Sequence, residues 1–139
     1  MWRQFFSRRS PSGNEDNKQK QHYGKIAEDI ASGFLIKQGL ALITRNYRCA
    51  RGEIDLIMRD DIYVVFVEVR YRKNNKFGSG AETVDFRKQR KLASAAAHYL
   101  QRIPALAKLP CRFDVISISP GNNAPQIQWI KDAFQPSPM

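Results

Sequence analysis

Cysteine and histidine are scarce in this chain, with two of each in 139 residues. Cys49 and Cys111 stand far apart, without a CxxC motif or a histidine at zinc-finger spacing, so reduced thiols and no structural zinc site are expected. No apolar run approaches the roughly 18 residues that a membrane-spanning helix needs. The opening MWRQFFSRRS is basic and aromatic but lacks a continuous apolar core of signal-peptide length, which makes a cytoplasmic protein the expectation. A glycine-rich phosphate loop, a GxSxG elbow, an HExxH helix and internal repeats are all missing, and kinase, P-loop, serine-hydrolase and zincin chemistries go with them.

Acidic residues are also few: 13 Asp and Glu oppose 23 Lys and Arg, a net charge of +10. A pI near 10.0 is the electrostatic footprint of a nucleic-acid partner, or else simply a solvated basic surface. Distribution says more than the total. Residues 70–91 hold eight basic side chains (Arg70, Arg72, Lys73, Lys76, Arg87, Lys88, Arg90, Lys91) against two acidic ones (Glu82, Asp85). A hydrophobic content of 42% in a chain of this length fits one domain with a sizeable core. The composition divides it into a disordered basic tail over 1–21, a folded domain over 22–134 and a frayed end over 135–139.

The stretch GEIDLIMRDDIYVVFVEVRYRK, residues 52–73, reads as a hairpin. Its strands are Glu53 to Arg59 and Ile62 to Arg70, rich in β-branched and aromatic residues, with Asp60-Asp61 as the reversal. That loop sets Arg59 opposite Ile62, Asp55 opposite Phe66 and Glu53 opposite Glu68. Alternation then gives one apolar face, Ile54, Leu56, Met58, Tyr63, Val65, Val67 and Val69. The other face carries Glu53, Asp55, Ile57, Phe66, Glu68 and Arg70, and Asp55 and Glu68 fall roughly 7 Å apart as diagonal neighbours. The pair at that distance suits one hard divalent ion, Mg²⁺ or Mn²⁺; equally, Arg70 pairs with one acid as a structural ion pair. Asp60-Asp61 lacks the glycine of two-residue hairpins, and an odd-length loop would change the facing.

Elsewhere the spacing of Tyr23, Ile26, Ala27, Ile30, Ala31, Phe34 and Leu35 predicts an amphipathic helix to Gln38, stopped by Gly39. Glu28 flanks that stripe. A strand over Leu40 to Arg48 completes a three-strand meander. Lys73 to Gly80 is loop by composition, and a second helix spans Val84 to Ile103, with Thr83 as N-cap and Leu92, Ala95, Ala96, Tyr99, Leu100 and Ile103 on its packed face. Its first turns hold Arg87, Lys88, Arg90 and Lys91, where the helix dipole is already positive; a bound phosphate relieves that conflict, and long solvated arms tolerate it. A fourth strand, Cys111 to Ser119, follows through a helical crossover and is therefore expected parallel to the third. A short strand around Trp129 ends the fold.

The order helix, three strands, helix, strand, with Glu on the first helix, Asp on the second strand and Glu-x-basic on the third, resembles the PD-(D/E)XK nuclease-like superfamily. More narrowly, AED (27–29), NYRCARGEIDLI (46–57), VFVEVRYR (65–72), KFGSGAETVDFRKQRKL (76–92) and CRFDVI (111–116) resemble the YraN family of uncharacterised bacterial proteins. The resemblance implies an α/β, restriction endonuclease-like core, a mixed sheet flanked by helices, related to the archaeal Holliday junction resolvases. It implies Glu28, Asp55 and Glu68 as metal-binding acids, Asp55 and Glu68 holding Mg²⁺ or Mn²⁺. Arg70 takes the place of the motif lysine; an arginine stabilises phosphoryl charge but does not serve as a base. The expected function is a metal-dependent endonuclease acting on DNA, branched DNA included, with Glu28, Asp55, Glu68 and Arg70 catalytic and Arg72, Lys73, Lys76, Arg87, Lys88 and Lys91 on backbone phosphates. The alternative is a non-catalytic nucleic-acid-binding module with a degenerate site. The sequence leaves a homodimer open.

Overall fold

The computed structural model describes residues 13–73 and 84–136. In chain order these form α1 (Gly13–Lys37), β1 (Ala41–Cys49), β2 (Gly52–Asp60), β3 (Tyr63–Tyr71), α2 (Phe86–Arg102), the short α3 (Pro104–Ala107), β4 (Cys111–Ser119) and β5 (Gln126–Phe134). The strands make one mixed sheet in the order β1-β2-β3-β4-β5, antiparallel throughout except for the parallel pair β3–β4. The helical crossover thus produces the parallel pairing it predicts, and the fold is the expected α/β class. No helix among the described residues is long and apolar enough to cross a membrane.

The two faces of the sheet have separate cores. On one, Ala27, Ala31 and Leu35 of α1 cover Leu56, Met58, Val65, Val67, Ile116 and Ile118. On the other, Leu92, Ala95, Ala96 and Tyr99 of α2 cover Ile57, Val64, Phe66, Phe113 and Val115. The small Ala95–Ala96 surface lets the helix sit close, and the rings of Phe66, Phe113 and Phe134 stack at 5.4 and 5.0 Å beneath it. The central strand β3 is covered on both faces, so Val64 to Val67 are all fully buried.

The helix ends follow local chemistry. Gly39 takes φ +100°, and its N–H and that of Leu40 donate to Ile36 and Leu35 carbonyls at 3.0 and 3.1 Å, the Schellman arrangement that closes α1. At its other end α1 begins at Gly13, well before the expected Tyr23, so the stretch read as a tail is helical from Gly13 on. For α2 the cap is Asp85, whose carboxylate accepts the Lys88 N–H at 2.8 Å, so the helix starts at Phe86 and not at Val84. The expected cap, Thr83, lies outside the described residues, as do most of the 73–80 loop, residues 1–12 and residues 137–139.

The hairpin differs from expectation in two ways. Its loop is Asp61-Ile62, with Asp60 paired to Tyr63 and Arg59 to Val64. Asp61 adopts φ +54°, a conformation Asp tolerates better than most residues, and Arg59 Nε donates to the Asp61 carbonyl at 2.9 Å. Each residue therefore faces a partner two places along from the expected one, an even slip that preserves every facing. Phe66 pairs with Ile57 and not with the expected Asp55, and the β2–β3 ladder ends at Leu56 with Val67, short of the expected pairing of Glu53 with Glu68. The second difference is Ile54, which packs with Ile57, Phe66 and Tyr99, not with Leu56 and Met58. Alternation breaks at Asp55: its carboxylate accepts the Val69 N–H at 2.8 Å, and Asn46, opposite it on β1, turns to φ +53°. Finally, β5 runs to Phe134, far beyond the short strand expected at Ile127 to Ile130. Asp132 at φ +50° and a shift of register against β4 obscure the alternation that would have revealed it.

Candidate functional site

Asp55 is anchored in the site by a hydrogen bond from the neighbouring strand. One carboxylate oxygen is tied to Val69 N–H on β3, which brings the acid abreast of Glu68 on the face covered by α2. Glu68 is a buried carboxylate, 9% exposed, on the most apolar strand of the sheet. Two acids in such surroundings repel each other and lose hydration. Asp55 responds strongly: its carboxyl is raised from 3.8 to about 7, by burial first, then by Glu68 and, more weakly, Glu28, while the Val69 N–H and Lys88 oppose the rise. Burial also pushes Glu68 up, against the pull of Lys88 and Arg70.

Glu28 reaches this neighbourhood from α1, its side chain 14% exposed. Arg45 of β1 holds it, Nη2 to Oε1 at 3.5 Å, while also bonding Asp29 at 2.6 Å. Glu28 is thus near enough to raise the Asp55 carboxyl, and it is itself restrained by a cation. Among the described residues no group of three or more His, Cys, Asp or Glu side chains stands ready to hold a metal. What is there is a close pair, Asp55 and Glu68, with Glu28 beside it. The donor set is hard oxygen with negative charge only partly offset, which fits Mg²⁺ or Mn²⁺ completed by water.

The cations divide into three groups. Lys88 Nζ lies 3.5 Å from Glu68 Oε1, reaching down from the first turns of α2. Arg70 is half-buried two residues beyond Glu68; burial lowers its guanidinium pKa and Glu68 pulls it back up. Arg72 is partly buried past the end of β3, its backbone N–H donating to the Ile118 carbonyl at 2.8 Å. Arg87 and Lys91 are exposed on α2, Lys73 is exposed at the edge of the loop, and Lys76 lies outside the described residues.

Residues the sequence did not single out complete the rim. The turn after β1 brings Arg48 and Arg51 beside Lys88 and Lys91, with Glu53 paired to Arg48 at 3.3 Å. Sequence spacing cannot show that this turn touches α2, although the basic RCARG run ahead of Gly52 is a visible cue. Tyr47 of β1 hydrogen-bonds His98 Nδ1 and packs edge-on against Tyr99 at 5.0 Å, so both polar side chains serve the β1–α2 junction.

Comparison with known proteins agrees with the residue patterns. A profile described as "Uncharacterised protein family UPF0102" matches residues 27–118, which include Glu28, Asp55, Glu68, Lys88 and the CRFDVI strand. A UPF0102 protein of Pseudomonas syringae pv. syringae is 55% identical over 117 residues, covering 83% of this chain and 94% of its own. One from Saccharophagus degradans is 50% identical over 111 residues, covering 80% and 91%. Another, from Legionella pneumophila subsp. pneumophila, is 47% identical over 114 residues, covering 82% and 95%. The chain belongs to the UPF0102 family.

Proposed function

We propose that this protein is a metal-dependent nuclease acting on DNA. The supporting observation is the meeting of Asp55, Glu68 and Lys88 on one face of the sheet, below a positively charged rim. Asp55 and Glu68 would hold one Mg²⁺ or Mn²⁺; such an ion supplies positive charge to a phosphoryl oxygen and lowers the pKa of a bound water. Around it the chain's own groups have separable roles. Glu68 orients the Lys88 amine, which places a compact cation beside the carboxylates. Arg70 adds delocalised charge from the same strand, and Glu28 adds negative charge that raises the Asp55 carboxyl from the helix side. Arg87, Lys91 and Lys73 hold backbone phosphates without reading bases, and Arg72 lends charge at the β3 end.

Cleavage of linear, single-stranded and four-way DNA with Mn²⁺ tests the reading. Activity abolished by Asp55→Ala and by Glu68→Ala supports it; undiminished activity in either variant removes the assigned site.

A second reading, a binding module without turnover, draws on Glu28 being tied to Arg45 and on the arginine at position 70. It predicts salt-sensitive DNA binding that needs no metal, and no cleavage of any of these substrates.

A further inference from the structure

The strongest feature outside the carboxylates is a cleft of about 460 Å³ between the β1–β2 turn and α2, lined by Arg48, Arg51, Gly52, Glu53, Lys88 and Lys91. Its walls come from elements distant in sequence, and a specific contact joins them. Gly52 lies at φ +156° with its Cα against α2; a Cβ built there would sit 3.1 Å from the Lys91 carbonyl oxygen. The absent side chain lets the turn dock on the helix, which sets Arg51 beside Lys91. Four cations line this small space against a single acid, Glu53. Glu53 engages Arg48 at 3.3 Å with both side chains more than half exposed, so it neutralises little. Lys88 is shared with Glu68. Among the described residues Arg51 and Lys91 have no acidic partner, and both are exposed.

Like charges held together by a docked turn are unfavourable unless an anion occupies the space between them. The cleft is polar and open, too large for a lone ion and suited to a phosphate with its attached sugar. Because Lys88 belongs both to the cleft and to the Glu68 contact, an occupant of the cleft lies next to whatever sits at the carboxylates.

We propose that this cleft seats a backbone phosphodiester of the bound nucleic-acid strand, adjacent to the one at Asp55 and Glu68, with Arg51 and Lys91 as its principal contacts. The proposal rests on the nucleic-acid reading of the site but not on cleavage. The strand runs from the β1–β2 turn across the start of α2 to the carboxylates, and the seat is blind to base sequence because only charge and phosphate geometry are offered.

Binding of a fluorescein-labelled DNA duplex to the full chain, in EDTA and over a range of salt, tests this apart from chemistry. Arg51→Ala and Lys91→Ala are each expected to flatten the slope of log affinity against log salt by about 0.9, and the double variant to bind about tenfold or more weakly at low salt. Lys108→Ala removes the same charge from an exposed site beyond α3, at the end of β3 away from Glu68, and is expected to leave the slope unchanged. An unaltered slope in the double variant, or an equal change in Lys108→Ala, overturns the seat while the carboxylate site stands. Failure of the unaltered chain to bind duplex, single-stranded or four-way DNA overturns both. Binding that depends on Arg51 and Lys91 without cleavage in Mn²⁺ keeps the seat and removes only the nuclease.

Discussion

Lys88 Nζ of α2 lies 3.5 Å from Glu68 Oε1 of β3, so the cation beside the last acid of the strand comes from a helix. Arg70, two residues beyond Glu68, occupies the motif position and also favours the charged carboxylate. The two cations differ in kind: an ammonium is a compact point charge, a guanidinium a broad and permanently charged plane. Lys88→Ala is therefore expected to lower Mn²⁺-dependent cleavage about 100-fold, the usual loss when one group stabilising transition-state charge is removed. Lys88→Arg should recover only part of that, and Arg70→Lys should change the rate little. Single-turnover rates at saturating DNA read the difference. A large gain from Arg70→Lys, with Lys88→Ala active, would assign the role to position 70 instead.

Asp55 gives the fold a pH dependence of known sign. Its carboxyl stands near 7 in the native chain against 3.8 ordinarily, burial being the main cause and Glu68 the next. Between those values the native state keeps a proton that the unfolded state has released, so stability falls as pH rises through this window and stays reduced above it. Glu68 shifts in the same direction. The metal-free chain should melt at a lower temperature at pH 8, above the window, than at pH 5.5, inside it. Asp55→Asn should narrow that gap, since an amide oxygen still accepts the Val69 N–H without carrying charge. Mn²⁺ should raise the melting temperature of the unaltered chain more at the higher pH, where the ligands need shed no proton. Parallel pH profiles for Asp55→Asn and the parent would show that the acid pair carries no such strain.

Which of these features the sequence discloses depends on how local their causes are. Alternation in VVFVEV is a property of consecutive residues, and it places Glu68 opposite Val67 in facing whatever the loop register. The two-residue slip of the hairpin was harmless for the same reason. Ile54 was misplaced because its facing is decided by a side chain, Asp55, bonding a neighbouring strand, and by Asn46 at a positive φ on the other side. Lys88 was legible as a basic helix residue but not as the partner of Glu68, a contact made between elements. The Arg51–Lys91 juxtaposition is legible only through Gly52, whose reason for being glycine lies on α2.

Gly52 supplies a stability prediction of its own. Alanine there must adopt φ near +156° and place its Cβ 3.1 Å from a backbone carbonyl that the α2 helix holds fixed. Gly52→Ala is expected to cost about 1–3 kcal/mol, the usual range for backbone strain at such a position. Relief of the clash would draw the turn off α2, so DNA binding in EDTA should weaken as well. Urea denaturation and the salt titration measure the two effects separately. Unchanged stability would mean that the turn gives way without resistance and does not fix the cleft.

Asp114 separates structural from functional acids. It belongs to the CRFDVI strand and pairs with Val67, one place from Glu68, yet its neighbours Ile116 and Val67 pack under α1, on the opposite face from the carboxylate site. Its side chain is 0% exposed and fully engaged. It accepts from Arg112 Nε at 3.0 Å, from Trp129 Nε1 at 2.9 Å and from the Asp132 N–H at 2.9 Å, pinning the residue where β5 turns to positive φ. Removing it leaves two partly buried donors without this acceptor, while Arg112 keeps Asp60 at 2.9 Å. Asp114→Ala is expected to cost about 3–5 kcal/mol, as breaking one side of a buried ion pair does. Asp114→Asn should also destabilise, because its amide turns a donor toward donors. The Asn variant, assayed below its melting temperature, should bind DNA and bind Mn²⁺ as the parent does, since none of its contacts reaches α2. Loss of metal affinity in a folded Asp114→Asn protein would instead make the two faces of the sheet a single site.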